Sequence, residues 1–201
     1  MLTIGLTGTS GSGKGYLYQY LFGEDVAFCD TDSLYHSMIS RPGECVDALK
    51  KEFGDVVVNN RGGIDRNALA SIVFNDTEKL EALNRITHTL ILERIRQAVF
   101  MAQLQNIKYF YVDAPLLFES GFDKECDFTV GVTAPLEIRV KRVMERDGIT
   151  LKKALERFKN QKDDSFFREN CDFTVINDGR ELEPQIDKLK TVLKRLYDEK
   201  K

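Results

Sequence analysis

The segment Gly8-Thr9-Ser10-Gly11-Ser12-Gly13-Lys14-Gly15 limits what this chain can fold into more than any other. An apolar run, Leu2 to Leu6, leads into it, and a segment that reads as a helix follows. Strand, glycine-rich turn, then helix is the setting in which such a loop cradles phosphate. Glycines let successive backbone N–H groups line a concavity for phosphate oxygens. The helix N-terminus adds partial positive charge, and Lys14 adds a full one. In the usual pattern the lysine is followed by Ser or Thr, whose hydroxyl ligates Mg²⁺. Here the next residue is Gly15. The loop predicts nucleotide phosphate binding with one metal ligand missing.

At 201 residues the chain is long enough for one compact domain with inserted sub-domains. An apolar fraction of 42% and a charged fraction of 30% are those of an ordinary globule. No stretch approaches the roughly 20 apolar residues of a membrane span. Met1-Leu2-Thr3-Ile4 enters the first strand without a signal-peptide pattern, so a cytoplasmic protein with no membrane association is expected. Cys29, Cys45, Cys126 and Cys171 show neither CxxC nor histidine-linked spacing and read as reduced thiols. A net charge of −3 argues against a nucleic-acid partner, which leaves the basic clusters in 139–146 and 152–168 to be explained.

Apolar runs that read as buried strands are Thr3–Leu6, Val26–Cys29, Tyr109–Val112, Phe128–Val132 and Phe173–Ile176. Helical segments separate them. The pattern predicts an α/β fold, a five-stranded parallel sheet between two helical layers. In such sheets the site lies beyond the carboxyl ends of the strands. The first strand ends at the glycine loop, the second at Asp30-Thr31-Asp32, the third at Asp113-Ala114-Pro115 and the fifth at Asn177-Asp178-Gly179. These ends are expected to converge on one crevice. Residues 33–106 are too long for a simple crossover and read as a helical substrate sub-domain, beside a nucleotide-binding core of residues 1–32 and 107–201. Asp65 is a candidate cap for a helix from Arg66, and Asp76 or Thr77 for the long helix after it. Pro135 starts a later helix that Gly148 ends, and another runs from Thr150 or Leu151 through Gln161.

Lys14 has the position to contact the β- and γ-phosphates. Asp32 is placed to take the proton of an alcohol acceptor, with Asp30 orienting it or holding Mg²⁺. The plain alternative for either carboxylate is a turn residue or a helix cap. Asp113, ending the strand beside the loop strand, is a candidate Mg²⁺ ligand, direct or through water, or else a turn residue before Pro115. Arg139, Arg142 and Arg146 share one helix face by their spacing, and Arg157 and Gln161 repeat the relation on the next helix. The planar fork of arginine suits polyphosphate. Residues 139–165 therefore read as a lid that closes on ATP and excludes water. The other reading pairs these arginines with Glu137, Glu145 and Asp147 on a solvated face. His36 and His88 have no metal-ligand spacing and, taken alone, read as structural or surface histidines.

In their order along the chain, these motifs resemble those of the dephospho-coenzyme A kinase family, within the P-loop kinases. Ile4-Gly5-Leu6-Thr7-Gly8 with Gly11-Ser12-Gly13-Lys14 is similar to its loop, and Asp30-Thr31-Asp32 to its Asp-Ala-Asp. Ile64-Asp65-Arg66 with Val73-Phe74 is similar to its Leu-Asp-Arg and Val-Phe stretch. Asp113-Ala114-Pro115-Leu116-Leu117-Phe118-Glu119-Ser120-Gly121 resembles its most specific signature. Arg142, Arg146-Asp147-Gly148, Arg157, Gln161 and Val175-Ile176-Asn177-Asp178-Gly179 complete the series, so the resemblance runs from Leu2 to Gly179.

The resemblance implies a P-loop kinase fold and transfer of the γ-phosphoryl group of ATP, with Mg²⁺, to the ribose 3′-hydroxyl of dephospho-coenzyme A. It implies that residues 33–106 form the coenzyme A sub-domain. Asp32 becomes the catalytic base, assisted by Lys14 and Arg142. The ATP-binding residues become Gly8, Gly11, Ser12, Gly13, Lys14, Gly15, Tyr16, Arg142, Arg146, Arg157, Asn177 and Gly179. The acceptor pocket becomes Asp32, Arg66, His88, Leu116, Leu117, Phe118 and Glu119, and the metal residues Asp30, Asp32 and Asp113. A monomer or weak homo-oligomer is expected. The chain departs from the family pattern at Gly15-Tyr16, where Ser-Thr is usual, at His36, where arginine is common, and at Thr89, where proline usually follows the histidine. Two alternatives stay open. One is another small-molecule or nucleotide kinase of the same superfamily, which leaves the Pro115–Glu119 series unexplained. The other is a non-catalytic nucleotide or coenzyme A binding protein, for which Gly15 is the sole support.

Overall fold

The computed structural model describes residues 1–74, 76–159 and 161–201. The chain divides into two compact units, one of residues 1–28 and 101–201, the other of residues 29–100.

The first unit is built on the sheet. The strands are β1 (Leu2–Gly8), β2 (Val26–Asp30), whose last two residues fall in the second unit, β3 (Tyr109–Asp113), β4 (Phe128–Thr133) and β5 (Phe173–Ile176). They form a five-stranded parallel sheet in the order β2-β3-β1-β4-β5, as the apolar runs predict, with each strand extending by a residue or two or matching its run. The central strand β1 is buried along its whole length. Both faces of the strand are covered: Leu2, Ile4 and Leu6 on one face are 2% exposed or less, and Thr3 and Thr7 on the other are buried as well. Register decides what meets at the sheet's carboxyl edge. Leu6 lies opposite Asp113 across β1 and β3, so the chain leaves β1 for the glycine loop just past the level of that carboxylate.

Around the sheet stand α1 (Tyr18–Leu21), reached through a 3₁₀ turn at Lys14–Leu17, and the later helices of the unit. Leu17 and Leu21 join Ile4, Leu6, Val130 and Val175 in the main core, together with Ile186, Leu189 and Leu193 of the C-terminal helix Glu183–Glu199. On the other side of β1 a Cβ at Gly5 would lie 2.8 Å from a methyl of Leu117, so the residue after Pro115-Leu116 packs tight against the strand.

The second unit opens with α2 (Thr31–Ile39), then α3 (Glu44–Phe53) and α4 (Arg66–Val73), and contains most of α5 (Thr77–Leu104). Carboxylates cap three of these helices. Asp30 Oδ1 accepts from the N–H groups of Asp32 and Ser33 at 2.9 and 3.0 Å. Asp65 Oδ1 accepts from Asn67 and Ala68 at 2.9 and 3.1 Å. Asp76 Oδ1 accepts from Lys79 at 3.1 Å. Each cap of this kind contributes about 1 kcal/mol to its helix. Ile39, Cys45, Leu49, Val57, Ile64 and Leu69 form this unit's own core.

The last helices of the first unit are α6 (Leu136–Asp147), α7 (Leu151–Phe158) and α8 (Asp164–Asn170), and the C-terminal helix is α9. Gly148 stops α6 in a left-handed conformation, φ 61°, as its position predicts. Helix α7 ends at Phe158; the expected continuation to Gln161 crosses residue 160, which lies outside the described residues. Helix α8 has no counterpart among the sequence expectations; Asp163 caps it by accepting from the Phe166 N–H at 2.9 Å. The four cysteines are free thiols, and burial pushes those of Cys126 and Cys171 up to about 12.

Truncating Leu6, fully buried in the central strand, tests the sheet core. Leu6→Ala is expected to cost roughly 2–5 kcal/mol in urea unfolding followed by circular dichroism. A cost under about 1 kcal/mol would mean that β1 is not the central packed strand.

Candidate active site

The loop between β1 and α1 needs its first three glycines. Gly8, Gly11 and Gly13 have φ of 151°, 76° and 88°. A Cβ at Gly8 would meet the Val132 carbonyl oxygen at 2.3 Å, and one at Gly13 would meet Asn177 Nδ2 at 2.1 Å. Gly15 is different: a Cβ there meets nothing within 4 Å. No steric reason therefore excludes the usual hydroxyl residue. Thr9 and Ser12 bring buried hydroxyls to the loop, and among the described residues neither Oγ1 of Thr9 nor Oγ of Ser12 has a hydrogen-bond partner. Buried polar atoms without partners are costly unless a ligand meets them.

Lys14 pairs with Asp113 Oδ1, and the Tyr18 hydroxyl donates to Asp113 Oδ2. Asp113 is 6% exposed, and a carboxylate that buried has to be paired and hydrogen-bonded to persist. Tyr16 turns elsewhere: it is exposed, and its hydroxyl accepts from Tyr20 at 3.2 Å. The sequence expectation that Asp113 sits at the loop is met; the part played by Tyr18 is not foreseen there.

A second group of contacts closes over the loop backbone. Arg142 of α6 donates through Nη1 to the carbonyls of Gly11 and Ser12, at 3.2 and 3.3 Å, and through Nη2 to Asn177 Oδ1 at 3.1 Å. Asn177, buried at the end of β5, donates from Nδ2 to the Ser12 carbonyl at 2.8 Å. Gln161 Oε1 accepts from the Ser10 N–H at 3.1 Å. The motifs at 142, 161 and 177 thus meet the phosphate loop directly. Gly179, φ 94°, lies two residues beyond Asn177 and has open space around it.

The arginine face is less uniform than its spacing suggests. Arg139 is 8% exposed; its Nε donates to the Ala134 carbonyl at 2.8 Å, its guanidinium lies over the Phe158 ring, and Asp164 stands 3.7 Å away. It braces the α6–α7 hairpin and is not presented to a ligand. Arg146 and Arg157 share Asp147, the first with Nε at 2.7 Å from Oδ1. The solvated-pair reading thus describes these two arginines as the structure stands. Hydrogen bonds from Arg146 and then Arg157 hold the Asp147 carboxyl well below the usual carboxylate range.

Of the acceptor-side residues in the second unit, Asp30 is occupied as a cap: besides its two N–H bonds, its Oδ2 accepts from Ser33 Oγ at 3.2 Å. Asp32, in the first turn of α2, is exposed. Arg66 is exposed at the start of α4, and His88 is half-buried in α5. In the first unit, Leu116 is 51% exposed and Glu119 is exposed, while Leu117 is fully buried and acts in packing. Phe118 packs edge-on to Phe166 at 5.1 Å. Among the described residues, no group of three or more His, Cys, Asp or Glu side chains could hold a metal ion. Mg²⁺ in a nucleotide site needs fewer, since phosphate oxygens and waters supply most of its shell. Asp113, with the phosphate loop beside it, is a suitable donor for that arrangement.

A parallel sheet whose central strand ends in this loop, with a lysine on a carboxylate from the neighbouring strand, is a P-loop nucleotide-binding fold. The sequence model of the dephospho-CoA kinase family matches residues 2–183. The chain is 32% identical to a dephospho-CoA kinase of Lactobacillus johnsonii, over 88% of this chain and 89% of that one. It also matches a solved structure from Thermus thermophilus with a TM-score of 0.76 and 33% identity, over 97% of each chain. The fold is shared with a dephospho-CoA kinase of Campylobacter jejuni, TM-score 0.57, at 23% identity over 96% of each chain. The chain belongs to the dephospho-CoA kinase family.

Gly13→Ala drives a methyl into Asn177 and strains a positive φ, so it is expected to weaken ATP binding by about tenfold or more in calorimetry. Binding equal to wild type would remove the Asn177–Ser12 contact from the site. For Asp147 the depressed carboxyl sets the sign: the clamp on Arg146 and Arg157 holds above the ordinary aspartate value of about 3.9 and is lost as pH falls through the lower folded value. Protection of the hairpin amides, corrected for their intrinsic exchange rates, should therefore fall at acid pH in the wild type, and Asp147→Asn should abolish that step. An unchanged pH profile in the variant would contradict the clamp.

Proposed function

We propose that this chain transfers the γ-phosphoryl group of ATP to the ribose 3′-hydroxyl of dephospho-CoA, giving CoA and ADP, the final step of CoA biosynthesis. One observation carries the proposal: the family's separated motifs, from the loop through Asp113 to Asn177, meet around one phosphate cradle. A bare glycine loop does not require that.

In this reading Lys14 exchanges Asp113 for the β- and γ-phosphates. Arg142 stiffens the loop and, with Arg146 and Arg157, supplies positive charge from the helical hairpin, which excludes water. We assign the proton of the acceptor hydroxyl to Asp32, the acid of the Asp30-Thr31-Asp32 motif to which the family resemblance gives that role; the neighbouring Asp30 carboxylate caps α2. The acceptor oxygen attacks the γ-phosphorus as the bond to the β–γ bridging oxygen breaks, and the proton passes to the Asp32 carboxylate. Mg²⁺ bound with ATP would neutralise charge on the β- and γ-oxygens, held at the protein by Asp113. Recognition of the acceptor is assigned to Arg66 and His88 in the second unit and to Leu116, Phe118 and Glu119 in the first. Leu117 supports them from the core.

Asp32→Asn is expected to lower turnover by about 10²- to 10⁴-fold and leave ATP binding nearly unchanged. Equal turnover would take Asp32 out of the reaction. Coupled ADP detection over a panel of nucleosides, nucleotides and dephospho-CoA separates this activity from that of another small-molecule kinase.

A further inference from the structure

Gly15 leaves the site without the hydroxyl that such loops place on Mg²⁺. The structure offers another hydroxyl one turn later. The Tyr18 N–H bonds to the Gly15 carbonyl across the 3₁₀ turn, and residues three apart in such a turn stand on one face. The longer side chain of Tyr18 reaches from there to Asp113 Oδ2. Its ring is fixed by Phe28, with centroids 4.8 Å apart, and Phe28 in turn stacks on buried Tyr111 at 5.1 Å. Tyr16, the other tyrosine of the turn, is engaged with Tyr20 and does not supply this contact.

Resting on the nucleotide-site reading above, we propose that Tyr18 is a positioning residue that replaces the missing loop hydroxyl. It acts on the metal through Asp113. A charge argument supports the role. Asp113 is buried, and Lys14 is its cationic partner. When Lys14 turns to phosphate, the carboxylate needs a new cation and a fixed orientation in which to meet it. A hydrated Mg²⁺ carried by the nucleotide meets the first need, and the Tyr18 hydrogen bond on Oδ2 meets the second. Partners of this outer kind typically change metal affinity by 10- to 100-fold when removed. The open space around Gly15 makes the proposal testable by rescue, because a serine hydroxyl fits there.

The experiment measures Mn²⁺ binding by electron paramagnetic resonance in the full chain with a non-hydrolysable ATP analogue. Tyr18→Phe keeps the ring and removes the hydroxyl. It is expected to weaken Mn²⁺ binding about tenfold and to leave metal-free binding of the analogue unchanged. Adding Gly15→Ser to that variant should restore Mn²⁺ affinity to within about threefold of wild type, the scatter expected of single contacts. Unchanged Mn²⁺ affinity in Tyr18→Phe, or a loss that Gly15→Ser does not restore, overturns the proposal. Gly15→Ser alone covers the case of an unstable Tyr18→Phe. With Tyr18 serving, the extra hydroxyl is redundant and should change Mn²⁺ affinity by less than about threefold; a tenfold gain would show a site short of a hydroxyl and overturn the proposal. None of these readings uses the acceptor. A wild-type chain that binds Mn²⁺ through Tyr18 but never phosphorylates dephospho-CoA would defeat the activity reading alone.

Discussion

The carboxylate of Asp113 is the point on which the nucleotide site depends. It is buried at the end of a strand paired in register with the loop strand, and it holds Lys14 on one oxygen and Tyr18 on the other. A buried charge is tolerated only with such partners. The Tyr18 contact ties the start of α1 to the end of β3. Any anion that recruits Lys14 has to leave Asp113 with a replacement cation. In the proposed reading, phosphate binding and metal binding are coupled through this one side chain.

The loop is held from its other side by a guanidinium and a side-chain amide. Arg142 donates to the carbonyls of Gly11 and Ser12 and to Asn177 Oδ1, and Asn177 donates to the Ser12 carbonyl, so the hairpin α6–α7 and the end of β5 reach the loop backbone. The glycines at 8, 11 and 13 are the reverse side of the same fact, since each leaves room that another residue fills. Gly15 has no such neighbour, and its identity is therefore not a packing requirement.

Much of this was legible in the sequence, for identifiable reasons. Buried strands announce themselves as short runs rich in β-branched, aromatic and other apolar residues, and all five strands fall on such runs. Asp65, Asp76 and Gly148 mark helix ends because capping is local chemistry. What stayed hidden is what depends on tertiary contact. Helical spacing puts Arg139 on the face of Arg142, yet the Ala134 carbonyl, the Phe158 ring and Asp164 draw it into the packing of the hairpin. Asp30 and Asp32 look alike as a pair of acids; the cap distinguishes them. Tyr18 gave one signal that could have been read, a hydroxyl three residues beyond the glycine that replaces one. Its link to Asp113 required the strand register.

The central claim is that this loop serves phosphoryl transfer to one alcohol, in spite of Gly15. The direct measurement is ³¹P nuclear magnetic resonance of the products formed from ATP, Mg²⁺ and dephospho-CoA by the wild-type chain. The account predicts ADP and a new phosphomonoester at the ribose 3′ position in equal amounts, dependent on Mg²⁺. ATP that binds but is never transferred, or a phosphate placed on any other hydroxyl, would contradict it.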